Sequence, residues 1–369
     1  MSSTIANFAA VLPSAGSNLV IEERAIPSPG VDEVLIRNHA IAVNPVDWKR
    51  QFLNLYISSY PAILGTDVAG VVEAVGSAVT LFKKGDRVLG SSPAIATNNL
   101  DHGAFQTYTL VQASAVTKLP DSISFKQAAT LPAAISTAAV TLFHVFDLPL
   151  PQPEQQQEPS AATGADTTRT NKKEAILVWS GASSAGNAMM QLARLAGLTV
   201  LASASPRHHA LVRSLGAAAV VDYRSPTAVT DLAEAARRDA GVSEIRYAVD
   251  AISTAETVPL VLDVLAQAGG DDDGSKEKTK QKLAHLLPWP EEITVPNGVE
   301  ETFVKGYVIW TERRDLAASV FNDLLGRWLE TGEVVPQAAR VIEGGLEGLQ
   351  TALNVLREGV SGEKLVVEL

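Results

Sequence analysis

Residues 174–224 constrain the fold of this chain more than any other stretch, because they spell a strand, a tight turn, a helix and a second strand within the length of one crossover. The apolar run Ala175 to Trp179 breaks into Ser180-Gly181-Ala182-Ser183-Ser184-Ala185-Gly186. Helix-spaced apolar residues follow at Met189, Met190, Leu192, Ala193 and Leu195, and Thr199 to Ala202 reads as the next strand. Strands joined in this way pair in parallel. The turn between the first strand and the helix aims backbone N–H groups and a helix N-terminus at whatever sits above it, which is what a pyrophosphate needs. Gly181 and Gly186 are separated by small residues rather than by the further glycines of G-x-G-x-x-G, so the turn alone also fits other α/β proteins.

The end of the second strand carries more specific chemistry. An NAD-preferring site ends this strand with Asp or Glu, which bonds the ribose 2′-hydroxyl and repels a 2′-phosphate. Here the segment is Ser203-Ala204-Ser205-Pro206-Arg207-His208, with hydroxyls and a cation but no carboxylate. That composition favours NADP(H), with Ser205, Arg207 and His208 as candidate contacts; solvated loop residues are the alternative for Arg207 and His208. Tyr223, after the apolar run Ala218 to Val221, marks another strand end and packs either against an adenosine or against its own neighbours.

At 369 residues, two domains sharing a cleft are the default expectation. A hydrophobic content of 46% permits a large core, and a net charge of −11 argues against a nucleic-acid partner, which would need clustered Lys and Arg. The chain has six His and no Cys, which excludes disulfides, thiolate nucleophiles and any zinc site built with Cys. Met1 to Phe8 lacks the basic flank and apolar stretch of a secretory signal, and no uninterrupted apolar run approaches the ~20 residues that cross a bilayer. No membrane association and a cytoplasmic location are the simple expectations.

Residues 1–128 read as a barrel-like all-β domain of short strands between glycine and proline, among them Val34 to Arg37, Gly70 to Val75, Arg87 to Gly90 and Ala104 to Val111. An alanine-rich helical pattern begins after Pro132 and runs to Phe146, marking a domain border. From residue 129 to 334 strands and helices alternate as in a parallel sheet, with Arg246 to Ala251 as a buried strand, Thr257 to Ala266 and Leu316 to Leu329 as helices, and Leu283 to Leu287 strand-like. Two polar segments break the rhythm. Residues 151–173 and 269–282 read as surface insertions that bury too little apolar area to order themselves. Residues 335–369 end in Lys364 to Val367, a short strand expected to return to the first domain.

Several runs then carry a resemblance. GTDVAGVVEAVGSAVTLFKKGDRVLG from Gly65, GAFQTY from Gly103 and SGEKLVV from Ser361 resemble the medium-chain dehydrogenase/reductase superfamily, in its zinc-independent quinone oxidoreductase and enoyl reductase branch. NPVDWK from Asn44, LPAAISTAAVTLF from Leu131 and VVDYRSP from Val220 are similar to fungal CipB-like and ToxD-like reductases and to the trans-acting enoyl reductases of polyketide synthesis. The resemblance implies an α/β fold: a GroES-like β-barrel domain, residues 1–128 and 335–369, beside a Rossmann doubly wound parallel sheet, residues 129–334, with the active site in the cleft. It implies NADPH-dependent reduction of the C=C bond of an α,β-unsaturated carbonyl, by hydride transfer to the β-carbon and protonation at the α-carbon. Quinone reduction is the nearest alternative, and cofactor binding without efficient turnover is a different class of answer.

The resemblance also implies site residues. Lys49 is the leading catalytic candidate, placed to bond the nicotinamide ribose or a developing oxyanion, with Asn44 and Asp47 shaping its loop. Tyr56 and Tyr60 are candidate proton donors or cleft-lining aromatics. Thr137 joins the catalytic candidates, and Ser136, Thr137 and Trp310 the substrate contacts. Ser183, Ser184, Ala185 and Gly186 would meet the pyrophosphate, and Ser205, Arg207, His208 and Tyr223 the 2′-phosphoadenosine. Ala251 and Ile252 would lie near the nicotinamide, while Ser361 and Gly362 would reach the cofactor from the other domain. The expected substrate is a small molecule or a carrier-bound enoyl group, no metal is expected, and the protein is a monomer or a homodimer.

Overall fold

The computed structural model describes residues 6–151, 173–238, 242–268 and 280–369. The chain divides into two compact units, one formed by Met1–Ser136 with Gly306–Leu369 and the other by Thr137–Lys305. In chain order the elements are β1 (Asn7–Leu12), β2 (Val20–Arg24), β3 (Glu33–Ala42), α1 (Pro45–Leu53), β4 (Ala62–Ile63), β5 (Asp67–Val75), β6 (Arg87–Ser91), α2 (Ala94–Thr97), β7 (Tyr108–Gln112), β8 (Val116–Lys118), α3 (Phe125–Ala128) and α4 (Pro132–Ala139). They continue with β9 (Lys173–Trp179), α5 (Ser184–Leu195), β10 (Thr199–Ser203), α6 (His209–Ser214), β11 (Ala217–Val221), α7 (Ala228–Arg238), β12 (Val242–Asp250), α8 (Thr257–Gln267), β13 (Gln281–His285) and β14 (Val299–Phe303). The chain closes with α9 (Arg314–Ala317), α10 (Leu325–Thr331), β15 (Ala339–Val341), α11 (Gly348–Glu358) and β16 (Lys364–Glu368).

The first unit is organised by β3, a ten-residue strand that serves two partners along one edge. Its first half, Glu33 to Arg37, pairs with β7, and its second half, Ala40 to Ala42, pairs with the C-terminal strand β16. The handover falls at Asn38, whose buried side-chain amide donates to the carbonyl of Gln106 at 2.7 Å and to Thr109 Oγ1 at 2.8 Å. Those bonds supply partners where the ladder is interrupted. The resulting seven-stranded sheet runs β15-β16-β3-β5-β6-β8 with β7 against β3, and a smaller sheet runs β2-β1-β4. The expected return of the C-terminal tail to the first domain is therefore seen directly.

The second unit is one parallel sheet in the order β11-β10-β9-β12-β13-β14, with every neighbouring pair parallel. The strand order reverses between β9 and β12, and in doubly wound sheets the ligand crevice opens at that reversal, beyond the strands' C-terminal ends. β9 and β12 bury one face against helices: Ala175, Leu177, Trp179, Ile245 and Ala248 are buried with Leu232, Val261 and Leu265 of α7 and α8.

Several boundaries differ from the sequence reading. The first unit extends to Ser136 and resumes at Gly306, so residues 306–334 belong with the barrel, not with the nucleotide-binding half. Long-range bonds explain the difference. Asn322 donates to the carbonyls of Ala113 and Val116 at 3.0 and 2.7 Å, and Thr117 Oγ1 donates to the carbonyl of Phe321 at 2.7 Å. The helix expected from Leu316 to Leu329 is broken by a wider π turn over Ala318–Leu324, and α4 likewise widens over Val140–Val145, where the Phe146 N–H reaches back to the Thr141 carbonyl. The helical run Phe125–Val145 is apolar and long enough to cross a bilayer, a length the sequence reading missed by stopping at individual apolar runs; 78% of its most apolar 18-residue stretch is buried, as in a core helix. The second polar insertion is shorter than expected, since Gln281 already opens β13 and its amide donates to the carbonyls of Ile245 and Leu265. Residues 152–172 and 269–279 of the two expected insertions lie outside the described residues.

Candidate active site

The turn between β9 and α5 is built by close approach. A Cβ on Gly186 would lie 2.2 Å from the Ser180 carbonyl oxygen and 3.0 Å from Gly181 Cα, so only glycine lets the helix start this near the strand. Ser183 is the N-cap: its hydroxyl accepts the Gly186 N–H at 3.0 Å and donates to the Ser180 carbonyl at 2.8 Å. Ser180 sits at φ 72°, and its N–H donates to Ser203 Oγ at 3.0 Å, while the Gly181 N–H donates to the Ser203 carbonyl at 2.9 Å. The turn is thus stitched to the end of β10 by a buried serine that the sequence reading treated only as part of a polar run. Ser183, Ser184 and Ala185 remain partly exposed above it. Ser183 spends its hydroxyl on the cap and its N–H on the Ser180 carbonyl at 3.1 Å, so its role is to shape the turn.

The adjacent strand ends are cationic and hold no carboxylate on the β10 side. Ser205 opens a short 3-10 turn, Arg207 is exposed, and its Nε donates to His208 Nε2 at 3.2 Å. Burial and the neighbouring Arg207 charge hold His208 below the usual imidazole range, so at neutral pH it acts as an uncharged partner. The β10 and β11 ends are bridged by the Ala204 N–H on the Val221 carbonyl at 3.0 Å. Tyr223 is 37% exposed, and the Arg224 guanidinium stacks 4.9 Å from its ring centre. Arg224 was missed as a site residue, although it stands inside the VVDYRSP run; a cation following a candidate adenosine tyrosine was the available signal.

Beyond β12, Asp250 is fully buried and organises the turn that carries Ala251 and Ile252. Its carboxylate accepts the Ile252 N–H at 2.9 Å and the Thr257 hydroxyl at 2.6 Å, and its carbonyl accepts Ser253 Oγ at 2.7 Å. The Ala251 N–H meets the Trp179 carbonyl at 3.3 Å, so this turn is tied to the end of β9 across the sheet reversal, and Ile252 is left 38% exposed there. A dinucleotide fits these residues: a helix N-terminus reached by close backbone approach, a carboxylate-free cationic end for a phosphate, and an exposed apolar residue at the reversal.

In the first unit, Lys49 lies on α1, half-buried, its Nζ 5.6 Å from the Trp48 ring centre. Burial lowers its pKa. α1 is held from its N-terminus: Asp47 accepts the Asn44 N–H at 2.8 Å and the Gly65 N–H at 3.1 Å. Asp47 is completely buried, and burial pushes its carboxyl up to about 6 against the opposing pull of the Asn44 N–H and the Arg50 charge. The Asn44 side chain does something the sequence reading did not anticipate. Its amide donates to Asp67 Oδ2 at 2.9 Å, and its oxygen accepts from Lys364 Nζ, which also pairs with Asp67 Oδ2 at 3.1 Å. The other Asp67 oxygen accepts the Ala133 N–H, at the start of α4, at 2.8 Å. The sequence reading did not single out Asp67 or Lys364, and the signal was one charge in each of two largely apolar runs, GTDVAGVV and KLVV.

The remaining candidates fall as follows. Ser136 and Trp310 are buried, and both bond Ser91: Ser136 Oγ to its hydroxyl at 3.0 Å and the Trp310 indole N–H to its carbonyl at 3.0 Å. Both bonds lie inside the first unit. The Tyr60 hydroxyl donates to Asn54 Oδ1 at 2.6 Å, while Tyr56 is 45% exposed and meets Tyr307 edge-on. Thr137 is half-buried on α4, its carbonyl accepting the Thr141 hydroxyl at 2.8 Å. Ser361 is exposed and Gly362 takes φ 78° immediately before β16. Among the described residues no three His, Asp or Glu side chains come together in a way that could hold a metal ion.

Comparison with known proteins agrees with this construction. Residues 30–121 match the alcohol dehydrogenase GroES-like domain. The chain is 37% identical to the dehydrogenase azaJ of Aspergillus niger, over 98% of this chain and 99% of that one, and 36% identical to the trans-enoyl reductase tndF of Aspergillus flavipes, over 98% of each. A quinone oxidoreductase from Pseudomonas syringae has the same fold, with a TM-score of 0.72 at 21% identity over 99% of this chain and 100% of that one. A mycobacterial protein solved with NADPH aligns at a TM-score of 0.69 and 21% identity over 98% and 100%. With its GroES-like domain and its doubly wound parallel sheet, the chain belongs to the medium-chain dehydrogenase/reductase superfamily and is an oxidoreductase akin to the fungal trans-enoyl reductases.

Proposed function

We propose that this oxidoreductase uses NADPH to reduce the C=C bond of an α,β-unsaturated carbonyl, without a metal ion. The observation that carries the reading is the half-buried ammonium of Lys49 on a helix pinned at its N-terminus, in a chain whose full-length relatives include trans-enoyl reductases. The carboxylate-free end of β10, with Ser205, Arg207 and the stacked Arg224 nearby, supports a 2′-phosphate and hence NADPH. The absence of Cys from the whole chain supports a mechanism that does not rest on a thiolate-held zinc.

When bound, NADPH would supply the hydride that reaches the β-carbon. Negative charge then gathers on the carbonyl oxygen, where a partly buried Lys49 ammonium donates a stronger hydrogen bond than it would in water. A proton at the α-carbon completes the addition. The Tyr60 hydroxyl proton is committed to Asn54, which leaves Tyr56 or solvent as the donor. The Gly186 turn would hold the cofactor's pyrophosphate and Arg207 with Arg224 its 2′-phosphate, and the Asp250 turn would present Ile252 as an apolar wall.

The test is NADPH consumption, followed by near-ultraviolet absorbance, against enones, enals, an enoyl thioester, quinones and saturated aldehydes, with NADH in parallel. Turnover confined to conjugated carbonyls with NADPH preferred is expected, and a preference for the thioester would favour a carrier-bound substrate. Quinone-only turnover would overturn the reading, and indifference to the 2′-phosphate would remove the assignment of Ser205 and Arg207.

A further inference from the structure

Three elements that bear on the proposed chemistry meet at one buried ion pair. Lys364 and Asp67 are 3% and 0% exposed and lie 3.1 Å apart. Lys364 opens β16, two residues after Gly362, and its ammonium also donates to the side-chain oxygen of Asn44, the N-cap of α1. Asn44 returns a bond to Asp67 Oδ2 at 2.9 Å and another to Thr66 Oγ1 at 3.3 Å. The second Asp67 oxygen takes the Ala133 N–H of α4 at 2.8 Å, and Thr66 Oγ1 at 3.3 Å. Both carboxylate oxygens are therefore satisfied by separate elements, and a buried charge satisfied in this way resists displacement because every alternative position leaves it unpaired.

Asn44 sets where α1 begins, and Lys49 follows one and a half turns later on the same short helix. A shift of the cap is transmitted to Lys49 because nine residues of helix move as one body. Ala133 lies in the first turn of α4, the helix that carries Ser136. We propose that the Asp67–Lys364 pair positions Lys49 for the reaction, by locking the N-cap of α1 and the start of α4 to the C-terminal strand; this rests on the reductase reading above. Lys364 is a positioning residue in this account. It acts through Asn44, not on the substrate.

The test compares Lys364→Met, Lys364→Arg and the double variant Asp67→Asn/Lys364→Met in the full chain. Each is followed by thermal melting, by kcat and KM on the enone panel, and by the pH titration of Lys49 as its 13C-dimethylated amine, assigned with Lys49→Arg. With Lys364→Met, kcat is expected to fall by about tenfold or more with the KM for NADPH little changed, as a misplaced group costs rate more than binding. The Lys49 titration is expected to move up toward that of a free lysine, and Lys364→Arg to restore much of both. If Lys364→Met does not fold, the double variant, which buries no unpaired charge, is expected to fold and still show both changes. A folded variant that melts earlier but keeps kcat and the Lys49 titration of the parent would overturn the proposal, leaving the pair purely stabilising. Should the parent protein turn over none of the panel, the reductase reading fails, and the Lys49 titration alone decides whether the pair positions that side chain.

Discussion

Replacing Gly186 by alanine tests the nucleotide turn at its tightest point. The added Cβ would sit 2.2 Å from the Ser180 carbonyl oxygen, so that oxygen or the helix must yield by about 0.8 Å to reach even the 3.0 Å that real contacts hardly undercut. The carbonyl is not free to yield. It accepts the Ser183 hydroxyl at 2.8 Å and the Ser183 N–H at 3.1 Å, and its own residue is fixed by the Ser180 N–H on Ser203 Oγ. Overpacking of about 1–3 kcal/mol, with about 1 kcal/mol more for the weakened cap, gives a loss of about 2–4 kcal/mol. In a unit of this size that is a drop in Tm of about 5–15 °C. Displacing one N–H from a pyrophosphate costs a further ~1.5–3 kcal/mol in cofactor binding, or about 10- to 150-fold in the Kd for NADPH. Gly326 is the control. It lies in α10 with its nearest neighbours 3.4 and 3.5 Å from an added Cβ, so Gly326→Ala should stabilise by about 0.5–1 kcal/mol. Melting by circular dichroism and NADPH titration by fluorescence read both variants. A Gly186→Ala protein with parental Tm would refute the close-approach argument, and one that melts earlier but binds NADPH as tightly as the parent would refute the placement of the cofactor at this turn.

Lys49→Ala should lower kcat by about 100-fold, the scale of one lost oxyanion donor, while leaving NADPH affinity within a few-fold; undiminished turnover would remove Lys49 from the mechanism. If the Arg224 charge meets the 2′-phosphate as proposed, Arg224→Ala should weaken NADPH by about tenfold and NADH hardly at all; equal losses for both cofactors would make Arg224 a prop for Tyr223 only. Asp47 gives a pH signature with a definite sign. Burial raises its folded pKa from 3.8 to about 6, so between those values the folded protein holds a proton that the unfolded chain has released, and stability from this group is lost as pH rises through about 6. The span corresponds to about 3 kcal/mol, and Asp47→Asn should therefore gain on the parent by up to that amount between pH 4 and pH 7 in urea unfolding. A constant difference across that range would show that Asp47 does not titrate there.

The βαβ unit was legible because its signals are local. Apolar period, small turn residues and strand length placed β9 and β10 within two residues of where they stand and α5 within three of its start, and the missing carboxylate after Ser203 could be read without any structure. Signals that depend on distant partners were not legible. Residues 306–334 have the helical pattern of the nucleotide-binding half, yet the carbonyls of Ala113 and Val116 and the hydroxyl of Thr117 draw Asn322 and Phe321 to the barrel. Trp310 and Ser136, named as substrate contacts, are both bonded to Ser91, a partner no spacing rule identifies.

What this sequence determined by itself is the class of machine: a parallel nucleotide-binding sheet, a separate strand-rich domain, and no cysteine with which to hold zinc. Those follow from periodicity and composition, which act over a few residues at a time. Only the tertiary structure decided how the helix that carries Lys49 is held, because Asn44 and Lys364 stand 320 residues apart in the chain and meet through the pairing of β16 with β3. A buried charge must find its counter-charge wherever the fold brings one, and that meeting leaves no local trace beyond a lone Asp and a lone Lys in two apolar runs.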